Sequence, residues 1–164
     1  HSLDSFIRRQ TVHETWKHTE EGLKLLPKEY VESWSVEECR EIARDIMLHM
    51  EDDQSAFGAF VGEELVGFVT VSHNIFGKRA KYAELVCFQV SEPYRHHGIG
   101  RQLFSLAREE AKKIGAEKLY ISACSAKETQ AAYKALGCTL AEEINERLAE
   151  EEPCDIQLEF SLRE

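Results

Sequence analysis

A buried strand runs through a glycine-containing turn into a strongly periodic helix, and this unit limits the folds open to the chain. Residues 81–90 are apolar on both faces at their centre, as in a strand inside a sheet. Gly98 and Gly100 fall where the helix begins, and its apolar face continues to Gly115, a typical C-terminal cap. A strand and helix joined in this way indicate an α/β domain.

Two further units are predicted upstream of this strand. Ser35 with Glu38 forms a capping box ahead of an apolar stripe at helical spacing, which predicts a helix. Residues 57–61 and 65–72 flank the turn at 62–64 and are rich in aromatic and β-branched residues, which predicts a β-hairpin. The helical stripe consists of Ile42, Ala43, Ile46, Met47 and Met50.

The two ends of the chain carry weaker patterns. Residues 6–9 are predicted as a first strand, and residues 11–30 show helical spacing. Ser125 with Glu128 predicts a second capping box, for a helix that ends at Gly137. Short strands are predicted at 119–123, 138–140 and 156–160, with an acidic connection at 142–155.

Composition argues against several classes of function. The 164 residues, 43% hydrophobic, suit one compact domain. No apolar stretch approaches the roughly 20 residues of a spanning helix, and no signal segment opens the sequence, so we expect a cytoplasmic protein without a membrane partner. The net charge of −10 disfavours nucleic acid. Five cysteines without CxxC spacing predict reduced thiols and no metal site.

The turn at 90–101 predicts an anion site. The first-turn N–H groups of a helix favour a phosphate, and glycine lets the backbone approach it. A tight turn without a ligand explains the two glycines as well. A dinucleotide fingerprint would need glycine where Leu103 stands, and a Walker loop would need Gly-Lys-Ser or Gly-Lys-Thr, which is absent.

The remaining pattern, Arg95-x-x-Gly98-x-Gly100, resembles the pyrophosphate loop Arg/Gln-x-x-Gly-x-Gly/Ala of the GNAT superfamily of N-acetyltransferases. The resemblance covers residues 57–137 and includes Tyr-Lys-Ala-Leu-Gly at 133–137. It implies a GNAT-like α/β fold whose central sheet is mixed, mostly antiparallel, has about six or seven strands, and is flanked by helices on both faces. We expect one such domain over residues 1–164, with acetyl-CoA as cosubstrate.

The resemblance also implies a cofactor site. Backbone groups of Phe88 and Val90 would pair with the pantetheine arm, and the N–H groups of residues 95–101 would hold the diphosphate. Arg101 and Lys134 fit phosphate contacts and ordinary surface charge equally well. The implied residues are Phe88, Gln89, Val90, Arg95, His96, His97, Gly98, Ile99, Gly100, Arg101, Ser125 and Lys134. Ser125 stands near the place of the asparagine usual in the family.

Catalytic roles follow from the same resemblance. An amine with a pKa of about 10.4 is neutral only about one part in a thousand near pH 7, so the reaction needs a base. Glu84, eleven residues before Arg95, matches the general-base glutamate of the histone-acetylating branch, although it also suits a solvent-facing position or a pair with Lys81. Tyr133, four residues before Gly137, matches the acid tyrosine that protonates the leaving thiolate, although core packing is the alternative.

The implied function is N-acetyl transfer to a primary amine by direct attack. The acceptor is expected to be a small cationic amine, such as a polyamine or an aminoglycoside, bound near Trp16, Trp34 and the segment 142–155. A peptide or protein amine, a non-catalytic acetyl-CoA-binding regulatory module and a long-chain acyltransferase are the alternatives. A homodimer is the assembly considered.

Overall fold

The computed structural model describes residues 4–49 and 53–163, which form two sheets and four α-helices. In chain order the elements are β1 (Arg9–Thr19), β2 (Gly22–Ser33), α1 (Val36–His49), β3 (Gln54–Val61), β4 (Glu64–Ser72), β5 (Tyr82–Val90), a 3-10 helix (Glu92–Tyr94), α2 (Ile99–Lys113), β6 (Lys118–Ala123), α3 (Lys127–Leu136), β7 (Thr139–Leu140), α4 (Glu146–Glu151) and β8 (Ile156–Ser161).

The larger sheet has six strands in the order β3-β4-β5-β6-β8-β7. Every neighbouring pair is antiparallel except β5 with β6, which is parallel. These two strands pair only from Tyr82 with Lys118 to Glu84 with Tyr120. Beyond that point they diverge, so the middle of the sheet is open at one end.

Helices cover both faces of this sheet, as the sequence predicts. On one face the largest core cluster includes Leu103, Phe104 and Ala107 of α2, packed on the central strands. On the other face α1 packs over Phe68, and Leu148 of α4 packs against Tyr82 and Tyr120. The mixed, mostly antiparallel sheet with two helical layers is therefore confirmed. No helix in the described ranges is long and apolar enough to cross a membrane.

The first capping box is confirmed. The Ser35 hydroxyl accepts a hydrogen bond from the Glu38 amide at 3.1 Å, and the Glu38 carboxylate accepts one from the Ser35 amide at 2.7 Å. Together these two bonds satisfy amides that the helix leaves open at its start. Met47, predicted on the buried stripe, is 74% exposed, and Met50 lies outside the described residues.

The predictions for the N-terminal segment are wrong. Residues 6–9 do not form a strand of their own, and residues 11–30 are not helical, because β1 and β2 form an antiparallel hairpin apart from the main sheet. A bond from the Trp34 amide to the Arg8 carbonyl at 2.9 Å closes the base of the hairpin, and a bond from the Trp16 amide to the Ser125 carbonyl at 2.8 Å ties it to the rest of the domain. Such long-range partners leave no local signal in the sequence.

The second capping box is also wrong. Helix α3 has Ala126 as its N-cap, without a side-chain cap bond, and Ser125 is buried with its carbonyl bonded to the hairpin. The acidic connection at 142–155 contains the short helix α4, whose cap is Asn145. The Asn145 side-chain oxygen accepts from the Leu148 amide at 3.2 Å.

Candidate active site

The divergence of β5 and β6 creates the main cavity of the described chain, about 810 Å³ in volume. One wall is the second half of β5, from Leu85 to Val90, and the other is the end of β6, from Ile121 to Cys124. Backbone groups of β5 beyond Glu84 have no partner in β6, because the pairing has ended. A strand edge of this kind accepts an extended chain with amide groups, such as a pantetheine arm.

A β-bulge sits in the wall formed by β5. Thr70 of β4 pairs with Cys87, but Val71 pairs with Leu85, so Val86 is an extra residue. The bulge reverses the alternation of side chains, which sends Cys87 to the α1 face and Phe88 to the α2 face, where its ring lies 6.1 Å from Phe104. Bulges re-aim groups beside active sites, and this one lies two residues beyond Glu84, where β5 and β6 begin to separate into an open fork.

The turn after β5 has the conformation of an anion cradle. His96 and Gly98 have φ of 66° and 85°, and His96 is the one non-glycine residue with positive φ in the described part of the chain. The first bond of α2 runs from the Gln102 amide to the Gly98 carbonyl at 3.1 Å, so the preceding first-turn amides point out of the helix. Alternating left-handed residues concentrate N–H groups in a concave nest that suits a diphosphate.

Arg95 lines the cavity and ties this turn to the hairpin. Its Nε donates to the Val90 carbonyl at 3.0 Å, its Nη1 donates to the Arg9 carbonyl at 2.6 Å, and its amide donates to the Glu92 carbonyl. At the other side of the mouth, Gln10 Nε2 donates to Thr129 Oγ1 of α3 at 2.9 Å. Strand β1 thus crosses the open end of the fork and touches both of its sides.

Tyr133 projects from α3 into the cavity on the α2 face of the sheet. Its ring meets Phe88 edge-on at 6.1 Å between centroids, and the side chain is half-buried. Burial raises its pKa above the ordinary value of about 10, so the phenol keeps its proton at neutral pH. Burial likewise raises the pKa of Cys87 and Cys124, which line the same cavity as neutral thiols.

Three carboxylates adjoin the cavity, although none of them is among its lining residues. Glu84 lies beside Tyr120 at the last paired position, and burial raises its pKa. Asp155 accepts a hydrogen bond from Ser122 at 3.1 Å, and burial raises its pKa too. Glu32 of β2 pairs with Arg8 at 2.9 Å. No group of three or more metal-ligating side chains occurs within residues 4–49 and 53–163.

Comparison with known families identifies this arrangement. The sequence matches the acetyltransferase (GNAT) family over residues 19–138, about three quarters of the chain. The chain belongs to this family. As the sequence predicts, it is an acetyltransferase that takes its acetyl group from acetyl-CoA. The match begins well before residue 57, so the family pattern includes the second strand of the hairpin.

Solved GNAT structures share the fold. Nourseothricin acetyltransferase is 19% identical with a TM-score of 0.71, over 99% of this chain and 92% of that one. A putative streptothricin acetyltransferase from Bacillus anthracis, in complex with acetyl coenzyme A, is 14% identical with a TM-score of 0.67, over 96% and 90%. An aminoglycoside 6'-N-acetyltransferase with coenzyme A is 16% identical with a TM-score of 0.58, over 74% and 80%. No curated protein matches the sequence.

The structure brings most of the residues proposed from the GNAT resemblance to one cavity. Its lining includes Tyr133, Phe88, Gln89, Val90, Arg95, His96, Gly98, Gly100 and Arg101. Four others do not line it, namely His97, Ile99, Ser125 and Lys134. Glu84 directly precedes Leu85, the first residue of β5 that lines the cavity, and lies on the face opposite Tyr133. The roles of all these residues stay proposals.

Sequence reasoning missed three parts of this GNAT site. The bulge at Val86 has no signature in an apolar strand. His96 lies in the same turn as Gly98 and Gly100, but a histidine in a sequence does not by itself predict its left-handed backbone. Asp155 was placed only in an acidic connection, and its contact with Ser122 depends on the antiparallel pairing of β6 with β8. For Asp155 the available signal was its position directly before a predicted strand.

Proposed function

We propose that this GNAT enzyme acetylates a primary amine of a small cationic molecule by direct attack on acetyl-CoA. The observation that carries the proposal is the distribution of charge around the fork. The carboxylates of Glu84, Asp155 and Glu32 do not line the cavity, but each adjoins a residue that does, namely Leu85, Ser122 and Arg8. The turn at 96–101 and Tyr133 belong to the other side of the cavity. A cationic acceptor is attracted to the acidic face, and the diphosphate to the turn.

The hairpin supports a small acceptor. Strand β1 crosses the mouth of the fork and is bonded to both sides, to Arg95 at one side and Thr129 at the other. A strand in this position narrows the opening through which an extended peptide would reach the cavity. Structural neighbours named as nourseothricin and aminoglycoside acetyltransferases also support a small-molecule acceptor.

The proposed division of roles follows the two faces. Acetyl-CoA supplies the acetyl thioester. The amides of residues 96–101 bind its diphosphate, and the free edge of β5 positions the pantetheine arm. Glu84 accepts a proton from the acceptor ammonium, helped by a pKa that burial raises toward neutrality. Tyr133, neutral at pH 7, donates its proton to the departing sulfur.

Direct attack is favoured over a covalent acetyl-enzyme. A cysteine acts as nucleophile in its thiolate form, and that form is scarce when the pKa is raised. Burial raises the pKa of both cavity cysteines, Cys87 and Cys124. No His-Cys pair activates either thiol among the described hydrogen bonds and ion pairs. We therefore expect no acetylated cysteine after incubation with acetyl-CoA alone, as intact-protein mass spectrometry would show.

An acceptor panel tests the function. Purified protein with acetyl-CoA is given streptothricin, kanamycin, spermidine or a lysine-containing peptide, and thiol release is followed with a chromogenic disulfide. We expect release with at least one small polycation and a product that gains one acetyl group by mass spectrometry. Release confined to the peptide would overturn the small-molecule acceptor, and no release with any amine, despite saturable acetyl-CoA binding, would favour a binding module.

A further inference from the structure

We propose that Ser122 and Asp155 form a proton relay on the β6 wall of the fork, which receives the second proton of the acceptor nitrogen after Glu84 has taken the first. The proposal rests on the proposed function and adds to it a pair of residues outside the family motif. Ser122 is the catalytic residue, since it lines the cavity, and Asp155 acts through it.

A directional chain of hydrogen bonds leads to this pair. The Asn145 amide donates to Tyr120 Oη at 3.0 Å, and a backbone amide has no alternative to donating. Tyr120 therefore uses its own proton on Gln157 Oε1 at 2.6 Å. This fixes the Gln157 side chain so that its Nε2 donates to Ser122 Oγ at 2.9 Å. Each step follows from the one before.

This chain of hydrogen bonds ends by fixing the direction of the Ser122 hydroxyl proton. A hydroxyl has one proton and two lone pairs. The proton goes to Asp155 Oδ2 at 3.1 Å, and one lone pair is taken by Gln157. Among the described residues these are the two bonds of Ser122 Oγ, so its second lone pair is open. Because Ser122 is half-buried and lines the cavity, that lone pair can accept from an ammonium bound there.

The side chains that hold this chain of hydrogen bonds in place are themselves rigid. Tyr120 is fully buried and Gln157 is 8% exposed, and both lie within the paired stretch of β6 and β8. Asp155 directly precedes β8, so the same pairing sets its distance from Ser122. Residues held by packing and by a closed set of hydrogen bonds keep a reacting group in place, as proton transfer requires.

The charges around Asp155 favour proton acceptance. It faces Glu32 of β2, Glu152 after α4, and Tyr133 of α3, which is neutral. Burial is the main cause that raises the pKa of Asp155, and the two carboxylates add to it, whereas the Ser122 bond opposes it. A base with a pKa raised toward the working pH accepts a proton more readily than an ordinary aspartate.

Glu84 takes the first proton of the acceptor ammonium, which leaves a neutral amine. The amine nitrogen then uses its lone pair to form the C–N bond to the acetyl carbon, and the C–S bond breaks with its electron pair on sulfur. Ser122 Oγ accepts the second proton from that nitrogen while its own proton moves to Asp155, which becomes neutral. Tyr133 protonates the sulfur. Glu84 and Asp155 then release their protons to solvent, and Tyr133 regains one proton from solvent.

The test uses single and double variants with the fastest acceptor of the panel. S122A and D155N are each expected to lower kcat by about 10-fold or more, because a general base contributes at least that much. The double variant is expected to be no slower than the slower single one, because the two residues act as a unit. S122T, which keeps the hydroxyl, should recover most of the activity. S105A removes an exposed hydroxyl on α2 and is the matched control.

Acetyl-CoA titration shows whether each variant retains its folded site. Unchanged affinity with reduced kcat supports the relay. Unchanged kcat in S122A, or effects of S122A and D155N that multiply in the double variant, would overturn it and leave the proposed function standing. Absence of thiol release from the parent protein with every amine would instead overturn the proposed function, and the relay with it.

Discussion

Strands β5 and β6 are bonded together at one end and separated at the other, and the two ends differ in how their hydrogen-bonding groups are paired. At the closed end Glu159 accepts from Tyr82 at 2.7 Å, from the Glu142 amide at 2.9 Å and from Lys118 at 2.6 Å. At the open end the facing backbone edges have no partner in the opposite strand. Backbone groups of the kind that join the two strands at the closed end are therefore available to ligands at the open end.

The comparison shows how one parallel pair supports both stability and catalysis. The closed end is a buried ion pair with its hydrogen bonds satisfied, which holds the strands at fixed separation. In the proposed function the cosubstrate and the acceptor reach the open end from opposite faces, which requires that fixed separation. Variants at the closed end should therefore change unfolding without changing chemistry, and variants at the open end should change catalysis or acetyl-CoA binding.

Tyr133→Phe should show the largest effect, and it tests the open end. The change removes the proposed acid but keeps the ring against Phe88, so kcat is expected to fall on the order of 100-fold with little change in acetyl-CoA affinity. Steady-state kinetics and calorimetric titration measure the two quantities. Tyr94→Phe also removes a hydroxyl from the cavity lining and is the control. A kcat that matches the parent would remove Tyr133 from the mechanism.

Lys118→Met comes next and tests the closed end. It leaves the carboxylate of Glu159, which is 5% exposed, without its cation. The free energy of unfolding is expected to fall by about 2 kcal/mol, less than for a fully buried pair because the Lys118 side chain is 20% exposed. Lys127→Met breaks an exposed pair with Glu14 and should cost less than about 0.5 kcal/mol. Denaturant melts compare the two, and equal losses would contradict the distinction between the ends.

The pH dependence of that loss sharpens the same test. Burial alone would raise the pKa of Glu159, but the bonds from Lys118, the Glu142 amide and Tyr82 outweigh it and leave the pKa below its usual value. A carboxyl with a lowered folded-state pKa stabilises the fold above its unfolded pKa of about 4.3, and the contribution is lost as pH falls through the folded value. The stability gap between parent and Lys118→Met should therefore narrow below about pH 4.

How far the sequence predicts each end depends on the range of the contacts. The turn at the open end is local, since Arg95, Gly98 and Gly100 lie within six residues, and the pattern was sufficient to predict a phosphate site there. The hairpin that crosses the same end was misread, because its partners, such as Ser125, lie more than 100 residues away. A polar segment with aromatic residues at mixed spacing fits either secondary structure until its partners are known.

The N-termini of α1 and α3 show the same limit on what the sequence alone can predict. Ser35 and Glu38 form a capping box as predicted, in a segment where nothing competes for their backbone groups. Ser125 and Glu128 have the same spacing but do not cap α3, because the Ser125 peptide is bonded to Trp16 of the hairpin. The relay residues depend even more on tertiary structure. Ser122 and Asp155 meet only because β6 and β8 pair in one register.

The smallest effect is expected from Gly98→Ala, which tests whether the turn at the open end contributes to binding instead of stability. Gly98 has φ of +85°, and an added Cβ would meet nothing within 4 Å. Gly115 has φ of +93° and equally open space at the far end of α2, so Gly115→Ala carries the same backbone strain without facing the cavity. Each variant should lose about 1 kcal/mol of stability, a fall in Tm of about 2–4 °C.

Only Gly98→Ala should weaken acetyl-CoA binding, by about 10-fold, because the strain is relieved by rotating the amides that would face the diphosphate. Titration calorimetry with acetyl-CoA and thermal melts of both variants give the two readouts. Equal affinities in the two variants would mean that the left-handed turn only joins a strand to a helix. A loss of affinity confined to Gly98→Ala would place binding free energy in this turn, where the left-handed φ aims the amides and the missing side chain lets the backbone approach the diphosphate.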